Sequence, residues 1–260
     1  MSSFSFVRYH IQDRIAFITL ARSDKRNALN QQVVAELKEA FTLAEEDDLV
    51  KVVVLTGEGD AFCAGADLEA LQQMQNYSFD ENLEDSTRLK DLFLKIYTLN
   101  KIVIAQVNGP AIAGGCGLAT VCDFSFASTR ATFGYTEVRI GFIPAIVLFF
   151  LIRKIGEGRA KELLLSGLLI QAEQAKEYGL INDCMDETKL AAHVEAFAQQ
   201  LIKNNSGQSM SVTKGMIAQI QDMDLSEALS YAAKMNAKMR ESVDCKKGIQ
   251  AFLTKQKPIW

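Results

Sequence analysis

Three short stretches of this 260-residue chain carry residues that could do chemistry together. "AIAGGCGLATVCD", residues 111–123, reads as a tight glycine turn feeding a helix that begins near Cys116. "FCAGADL", residues 62–68, repeats the arrangement, with the small residues Ala64, Gly65 and Ala66 just before a helix start. "FGYTEVRIGFIPA", residues 133–145, sets one acid, Glu137, among apolar neighbours. A helix N-terminus leaves its first amides without acceptors and carries the positive end of the helix dipole. Gly114 and Gly115 permit dihedrals and a close approach that a side chain would block. Two such turns could each offer one N–H to a shared oxyanion, which needs fixed donors, an open approach and a low local dielectric. An acid flanked by apolar residues is partly desolvated, which raises its pKa and suits it to carry a proton near neutral pH. The same residues also suit a plainer reading: strand-to-helix turns with glycines for packing, and a loop carboxylate paired with Arg139.

The elements that would position these residues follow from hydrophobic period. "FSFVRYHIQ" and "RIAFITL" read as two strands with "DR" as the turn between them. "LARSDKRNALN" is a polar loop, and Asn30 is placed to cap the helix "QQVVAELKEAFTLAEED". Val33, Val34, Leu37, Phe41 and Ala44 form its apolar stripe. "VKVVVLTG" and "IVIAQV" are continuous apolar runs, the mark of strands covered on both faces. Asp67 is placed to cap the helix after "FCAGA". Residues 75–90 are polar without a clean period and read as a mobile loop leading into a helix around 89–99. "FSFAS" is a further strand, and helical patterns dominate the second half. The expectation is an α/β core followed by a helical C-terminal region.

Composition narrows the function classes. The net charge is −4, with both signs spread along the chain, so no basic face for nucleic acid is expected. A local basic pocket for a small anion remains compatible with that balance. Five cysteines without a CxxC pair read as small buried hydrophobes in a reducing compartment. His10 and His193 are the only histidines, which argues against a metal site. The start "MSSFSFVRYHIQDR" lacks the pattern of a secretory leader, and "IGFIPAIVLFFLIRK" is short for a membrane span and contains a proline. A cytoplasmic protein with no membrane partner is expected.

"LARSDKRNALN", "AFCAGADL", "VNGPAIAGGCGLATVCDFSFAS" and "FGYTEVRIGFIPA" occur in this order, and "GIQAFLTKQKPIW" closes the chain. In these segments the sequence resembles the crotonase superfamily, the enoyl-CoA hydratase/isomerase fold, along essentially its whole length. The resemblance implies an α/β fold of the ClpP/crotonase type. Residues 1–200 would form a spiral of ββα units with the acyl-CoA site, and residues 201–260 a helical trimerisation region. It implies an acyl-coenzyme A thioester as ligand, no cofactor beyond the coenzyme A of the substrate, and a homotrimer or hexamer. Two backbone N–H groups polarise the thioester carbonyl in that family; here they fall at Ala66 and Gly114. The implied acid is Glu137. Gly65, Asp67, Gly115 and Gly117 belong to the implied acyl-CoA site. Lys25 matches a position near the nucleotide, and Ala64 one whose backbone reads the adenine. Phe252 and Lys255 match residues brought to the adenine end from the C-terminal helices, often by a neighbouring subunit. Lys25 as a surface lysine and Phe252 as core packing are the plainer alternatives.

Hydratases of the family usually carry a second glutamate, which maps to Gly117, so the two-carboxylate mechanism does not transfer intact. Three consequences are open: hydration by Glu137 alone, proton transfer between two carbons by Glu137 alone, and space at Gly117 for a bulkier, branched or carboxylate-bearing acyl group. The segment "PAIV" stands where common hydratases have a glycine-rich "PGxGG", a variant similar to bacterial methylglutaconyl-CoA hydratases and to related decarboxylases. Arg88, Lys90 and Arg139 are the candidate partners for a distal substrate carboxylate. A serine-type hydrolase on the same fold and a non-catalytic acyl-CoA-binding protein are the rivals from other classes.

Overall fold

A computed structural model describes residues 4–260. Strands β1 (Val7–Gln12) and β2 (Ile15–Leu20) form an antiparallel hairpin. Its two-residue turn, Asp13 and Arg14, has φ of 49° and 70°, the pair of left-handed residues that matches the right-handed strand twist. The expected capped helix follows as α1 (Gln31–Glu46), with Asn30 accepting the Val33 amide at 2.9 Å and the whole predicted stripe buried.

From β2 onward the main sheet is parallel. Its strands are β3 (Val52–Gly57), β4 (Ile102–Val107), β6 (Phe124–Ser128) and β9 (Asp183–Met185), in the order β1-β2-β3-β4-β6-β9. A smaller sheet joins β5 (Ala111–Ile112), β7 (Thr132–Gly134) and β8 (Ile170–Gln171). The apolar runs are apolar throughout because both sheet faces are covered. Val53 and Leu55 join the core under α1, while Val52 and Val54 face a second cluster with Leu190, Val194, Ala198 and Ile202.

The remaining helices are α2 (Leu68–Met74), α3 (Phe79–Thr98), α4 (Gly114–Val121), α5 (Ala145–Ile155), α6 (Glu157–Ser166), α7 (Ala172–Glu177), α8 (Glu187–Asn204), α9 (Gly207–Ile220), α10 (Leu225–Arg240) and α11 (Val243–Leu253). Residues 79–90 are therefore helix and not a loop. Ser78 and Glu81 form a reciprocal capping box, with the Glu81 carboxylate accepting the Ser78 amide at 2.7 Å. The first half of α3 shows no apolar period because it faces solvent; its buried residues are Leu92, Phe93 and Ile96. α4 starts at Gly114, two residues before the expected point. Helix α8 runs through residue 200, and the C-terminal helices begin at Gly207. No helix among the described residues is long and apolar enough to cross a membrane.

Buried polar side chains stitch the loops. Asn27 is fully buried; its amide donates to the Glu58 and Ala61 carbonyls at 2.9 and 2.8 Å and its carbonyl accepts the Arg22 amide at 2.9 Å. It thereby ties the loop after β2 to the loop after β3. Lys214 of α9 donates to the Ile96 and Lys101 carbonyls and to Asp123, anchoring the C-terminal helices to the sheet. Asn27→Ala strips the Glu58 carbonyl of its side-chain donor, leaves the buried Ala61 carbonyl only the longer bond from Asn108 at 3.4 Å, and puts alanine at φ 57°. The expected loss is roughly 3 kcal/mol, read as a lower midpoint in chemical denaturation; an unchanged midpoint would contradict this role.

Candidate active site

Two isolated bridges assemble the site. Leu29 pairs with Ala66 through Leu29 N–H to Gly65 at 2.7 Å and Asp67 N–H to Leu29 at 2.8 Å. Because amides alternate in direction along extended chain, the Ala66 N–H points away from Leu29. Cys63 pairs with Ala111, and the Ile112 amide donates to Cys63 at 2.9 Å. The Ala113 amide donates to Gly134 of β7 at 2.8 Å. Ala113 itself lies at φ 52°, ψ −122°, a rare region for a residue with a side chain and worth about 1–3 kcal/mol of strain. That dihedral swings the chain into α4 with the Gly114 amide free. Among the described residues, neither the Ala66 nor the Gly114 amide has an acceptor.

Glycine makes the contact between the two turns. A Cβ on Gly115 would lie 2.2 Å from the Cys63 carbonyl oxygen, and one on Gly65 would lie 2.9 Å from that of Ile112. Gly65 also sits at φ +90°. The two donor turns therefore touch backbone to backbone. Lys154 of α5 closes the other end of α4, donating to the Thr120 and Cys122 carbonyls at 2.9 and 3.1 Å.

Glu137 opens a 3-10 turn, Glu137–Ile140, just beyond β7. Gly134, three residues earlier, is the residue bonded to Ala113, so the acid and the glycine turn share one anchor. Its Oε2 is enclosed and, among the described residues, has no hydrogen-bond partner. Burial pushes the carboxyl above the ordinary glutamate range, opposed only by its own backbone amide. The paired, exposed carboxylate is therefore not what the structure shows. Arg139 is exposed, and its side chain lies alongside Gly167.

One sequence reading needs correction. Gly117 is not an open space: a Cβ there would lie 2.4 Å from Val147 Cγ1 and 2.7 and 2.9 Å from ring atoms of Phe93. The room expected for a larger acyl group is already filled by side chains from α5 and α3. Asp67 caps α2 as expected, and its carboxylate is buried. It accepts the Glu69 and Ala70 amides and pairs with Arg22 at 2.5 Å, with 4% of its side chain exposed. Burial would raise its pKa, but Arg22 and the two amides outweigh that and hold it below the usual carboxylate range. Asp67 thus braces Ala66 from behind.

Lys25 lies on the surface and pairs with Glu69 at 3.0 Å. The Ala64 amide is taken by Arg26 at 3.0 Å, and its carbonyl accepts nothing among the described residues, which leaves it open to a ligand. Phe252 is 82% exposed and is not core packing. Helix α11 is held through Asp244 to Ser206, and the tail through the Trp260 carbonyl to Arg14, where the parallel strands begin. Ala66 and Gly114 lie where the strands end. Within one chain, Phe252 and Lys255 are not brought to the site. Arg88 pairs with Glu84 at 2.5 Å and Lys90 with Asp91 at 3.1 Å, both on the surface of α3. His10 stacks on Phe17 and His193 meets Phe126 edge-on, so neither serves a hydrolytic triad here.

The family model described as enoyl-CoA hydratase/isomerase matches residues 10–260. The chain belongs to the enoyl-CoA hydratase/isomerase family. It is similar to a Thermus thermophilus protein provisionally named an enoyl-CoA hydratase, at 41% identity over 94% of this chain and 96% of that one. It is also similar to the crotonyl-CoA hydratase of Syntrophomonas wolfei, at 34% identity over 95% and 94%. Its fold superimposes on the crystal structure of an enoyl-CoA hydratase from Mycobacterium smegmatis with a TM-score of 0.92, 30% identity and 98% of both chains covered. The fold is thus the crotonase fold, and the protein is an enzyme of this family.

Phe93, Val147, Asn27 and the strained Ala113 were not legible as site residues. Phe93 and Val147 sit in ordinary apolar runs, and only the "AGG" after a strand hinted at an unusual dihedral near Ala113. The raised pKa of Glu137 has a definite sign in stability. The native state holds its proton more tightly than the unfolded chain, so this group's contribution falls as pH rises from the ordinary glutamate value through the raised one. Glu137→Gln is expected to melt above the wild type at neutral pH, with the difference vanishing in acid. Thermal melts across pH check this, and a lower melting temperature at neutral pH would contradict it.

Proposed function

We propose that this enzyme is a hydratase that adds water to a 2-enoyl-CoA, and removes it in reverse, with Glu137 as its single acid–base group. The observation that carries the reading is the half-buried, unpartnered Glu137 carboxyl anchored to the same strand as the glycine turn. The thioester oxygen accepts the Ala66 and Gly114 amides, which stabilise the negative charge that grows there as the enolate forms. Each donor is worth about 3 kcal/mol by comparison with other oxyanion holes. Glu137 takes a proton from the attacking water as its oxygen bonds to C3. The same carboxyl then returns that proton to C2, the thioester carbonyl re-forms, and the product is the 3-hydroxyacyl-CoA. A raised pKa brings the carboxyl closer to neutrality, which eases proton transfer in both directions.

Phe93 and Val147 fill the space over Gly117 with carbon, which supports a site without a second acid there. Of the three candidate partners for a distal carboxylate, Arg88 and Lys90 are paired on the surface, while Arg139, two residues from Glu137, forms no salt bridge among the described residues and is the candidate that a substrate such as 3-methylglutaconyl-CoA would use. The coenzyme A moiety is read by Lys25 and the Ala64 carbonyl, with Gly65 and Gly115 holding the surface close, and with Phe252 and Lys255 supplied by a neighbouring copy. Exposed Ile140, Phe142, Ile143, Phe149, Leu165 and Leu168 support a homotrimer, alone or paired as a hexamer. The free thiols of Cys63, Cys116 and Cys122, all buried, fit a cytoplasmic setting. The chemistry is proton transfer at a polarised thioester and uses no cofactor besides the substrate's coenzyme A.

Mass spectrometry after incubation with crotonyl-CoA and 3-methylglutaconyl-CoA tests the reading. Gain of one water on crotonyl-CoA is expected, with loss of the enoyl-thioester absorbance. Glu137→Gln should lower kcat by roughly a thousandfold with little change in KM. A moved double bond at constant mass would make the enzyme an isomerase, loss of carbon dioxide a decarboxylase, and a wild-type rate in the Gln variant would remove Glu137 from the mechanism.

A further inference from the structure

Gly117 lies three residues beyond Gly114 in α4, on the same face one turn on. Over it meet Phe93 from α3 and Val147 from the first turn of α5, exposed by 0% and 3%. The overlap that any Cβ at 117 would create, 2.4 Å to Val147 Cγ1 and 2.7 Å to the Phe93 ring, is not one that either partner can relieve by a small movement. Valine in a helix has one strongly preferred χ1. The Phe93 ring meets Phe150 edge-on at 6.4 Å, and Phe150 is held in turn by Tyr97 at 5.1 Å and Phe149 at 5.3 Å. Val147 is the last residue of the "PAIV" that stands in the glycine-rich segment of common hydratases. Bulk missing at 117 is thus restored at 147, and the two positions are one packing unit.

We infer that Phe93 and Val147 form an apolar plug that fills the seat beside the first turn of α4 and commits the site to the single carboxylate of Glu137. The plug, and not merely the glycine, then determines the chemistry. Phe93 and Val147 leave no room over Gly117 for a water or a polar side chain, and an unpaired polar group packed against them is unfavourable. Water reaching C3 has to be held by Glu137. The catalytic half of this inference rests on the hydratase reading; the packing half rests on geometry alone.

A double-mutant cycle tests the packing half by melting, without substrate. Gly117→Ala is expected to lower Tm by roughly 3–10 °C through overpacking, and Val147→Ala by a similar amount through the void it leaves. The double variant is expected to melt above Gly117→Ala, because the new methyl enters the space vacated. Additive losses would overturn the plug. The catalytic half is tested with crotonyl-CoA. Gly117→Glu alone should gain no hydratase activity. Gly117→Glu with Val147→Gly should raise kcat for hydration at least tenfold over Val147→Gly alone and add a second ionisation to its pH profile. If Gly117→Glu alone melts like the wild type and gains as much as the double variant, the plug is not the determinant. A double variant that regains its Tm without the second ionisation would overturn the catalytic half. A wild-type enzyme that hydrates no enoyl-CoA would sink the hydratase reading and leave the melting cycle intact.

Discussion

Everything in the site depends on a backbone-to-backbone contact between two turns. The loop at Cys63–Ala66 lies directly on the start of α4, with Gly115 over the Cys63 carbonyl and Gly65 against Ile112. No side chain larger than hydrogen fits at either point. The closeness sets the Ala66 and Gly114 turns side by side, and amides that are fixed before a reaction need no reorganisation as charge develops. The main sheet supplies the frame. β3 and β4 are neighbouring parallel strands, so the loops that follow them emerge side by side at the same sheet end. An arrangement of this kind is typical of open parallel sheets, where ligand sites sit beyond the carboxyl ends of strands.

The site also concentrates features that disfavour folding. Ala113 is held at an unusual dihedral, and among the described residues two donors lack acceptors and the half-buried Glu137 Oε2 has no partner. Each is tolerated because the surroundings are over-determined. Asp67 is locked between Arg22 and the α2 amides behind Ala66. Lys154 caps the far end of α4, where a cation opposes the negative end of the helix dipole. Asn27 and Lys214 satisfy buried carbonyls of the connecting loops and helix ends. Adjacent residues differ in role: Asp67 caps and pairs, while the Ala66 amide has no acceptor among the described residues.

Local chemistry was readable where it obeyed one clear rule. The α1 stripe, its Asn30 cap and the "DR" hairpin followed from period and turn preference alone. The first half of α3 was misread because solvent-facing helix carries no apolar period, although Ser78 and Glu81 had the spacing of a capping box. The two turns could be proposed as donors from their glycines. Their contact could not, because Cys63 and Ala111 are 48 positions apart and only sheet order makes them neighbours. Phe252 looked equally suited to core or ligand; its exposure and the anchoring of α11 depend on how the C-terminal helices cross the sheet.

The sequence by itself determined the fold class and the family, and it singled out Glu137 as the candidate acid. These are properties of residue type and order: alternating buried strands and helices, glycines where a chain must turn tightly, one carboxyl in an apolar run. Tertiary structure decided what Gly117 means. In the sequence a glycine is an omitted side chain and suggests room. In the fold, Phe93 and Val147, 24 positions before it and 30 after it, converge on that spot and close it. Space belongs to no single residue. It is what remains after neighbours from other elements have packed, at the near-crystalline density of a protein interior.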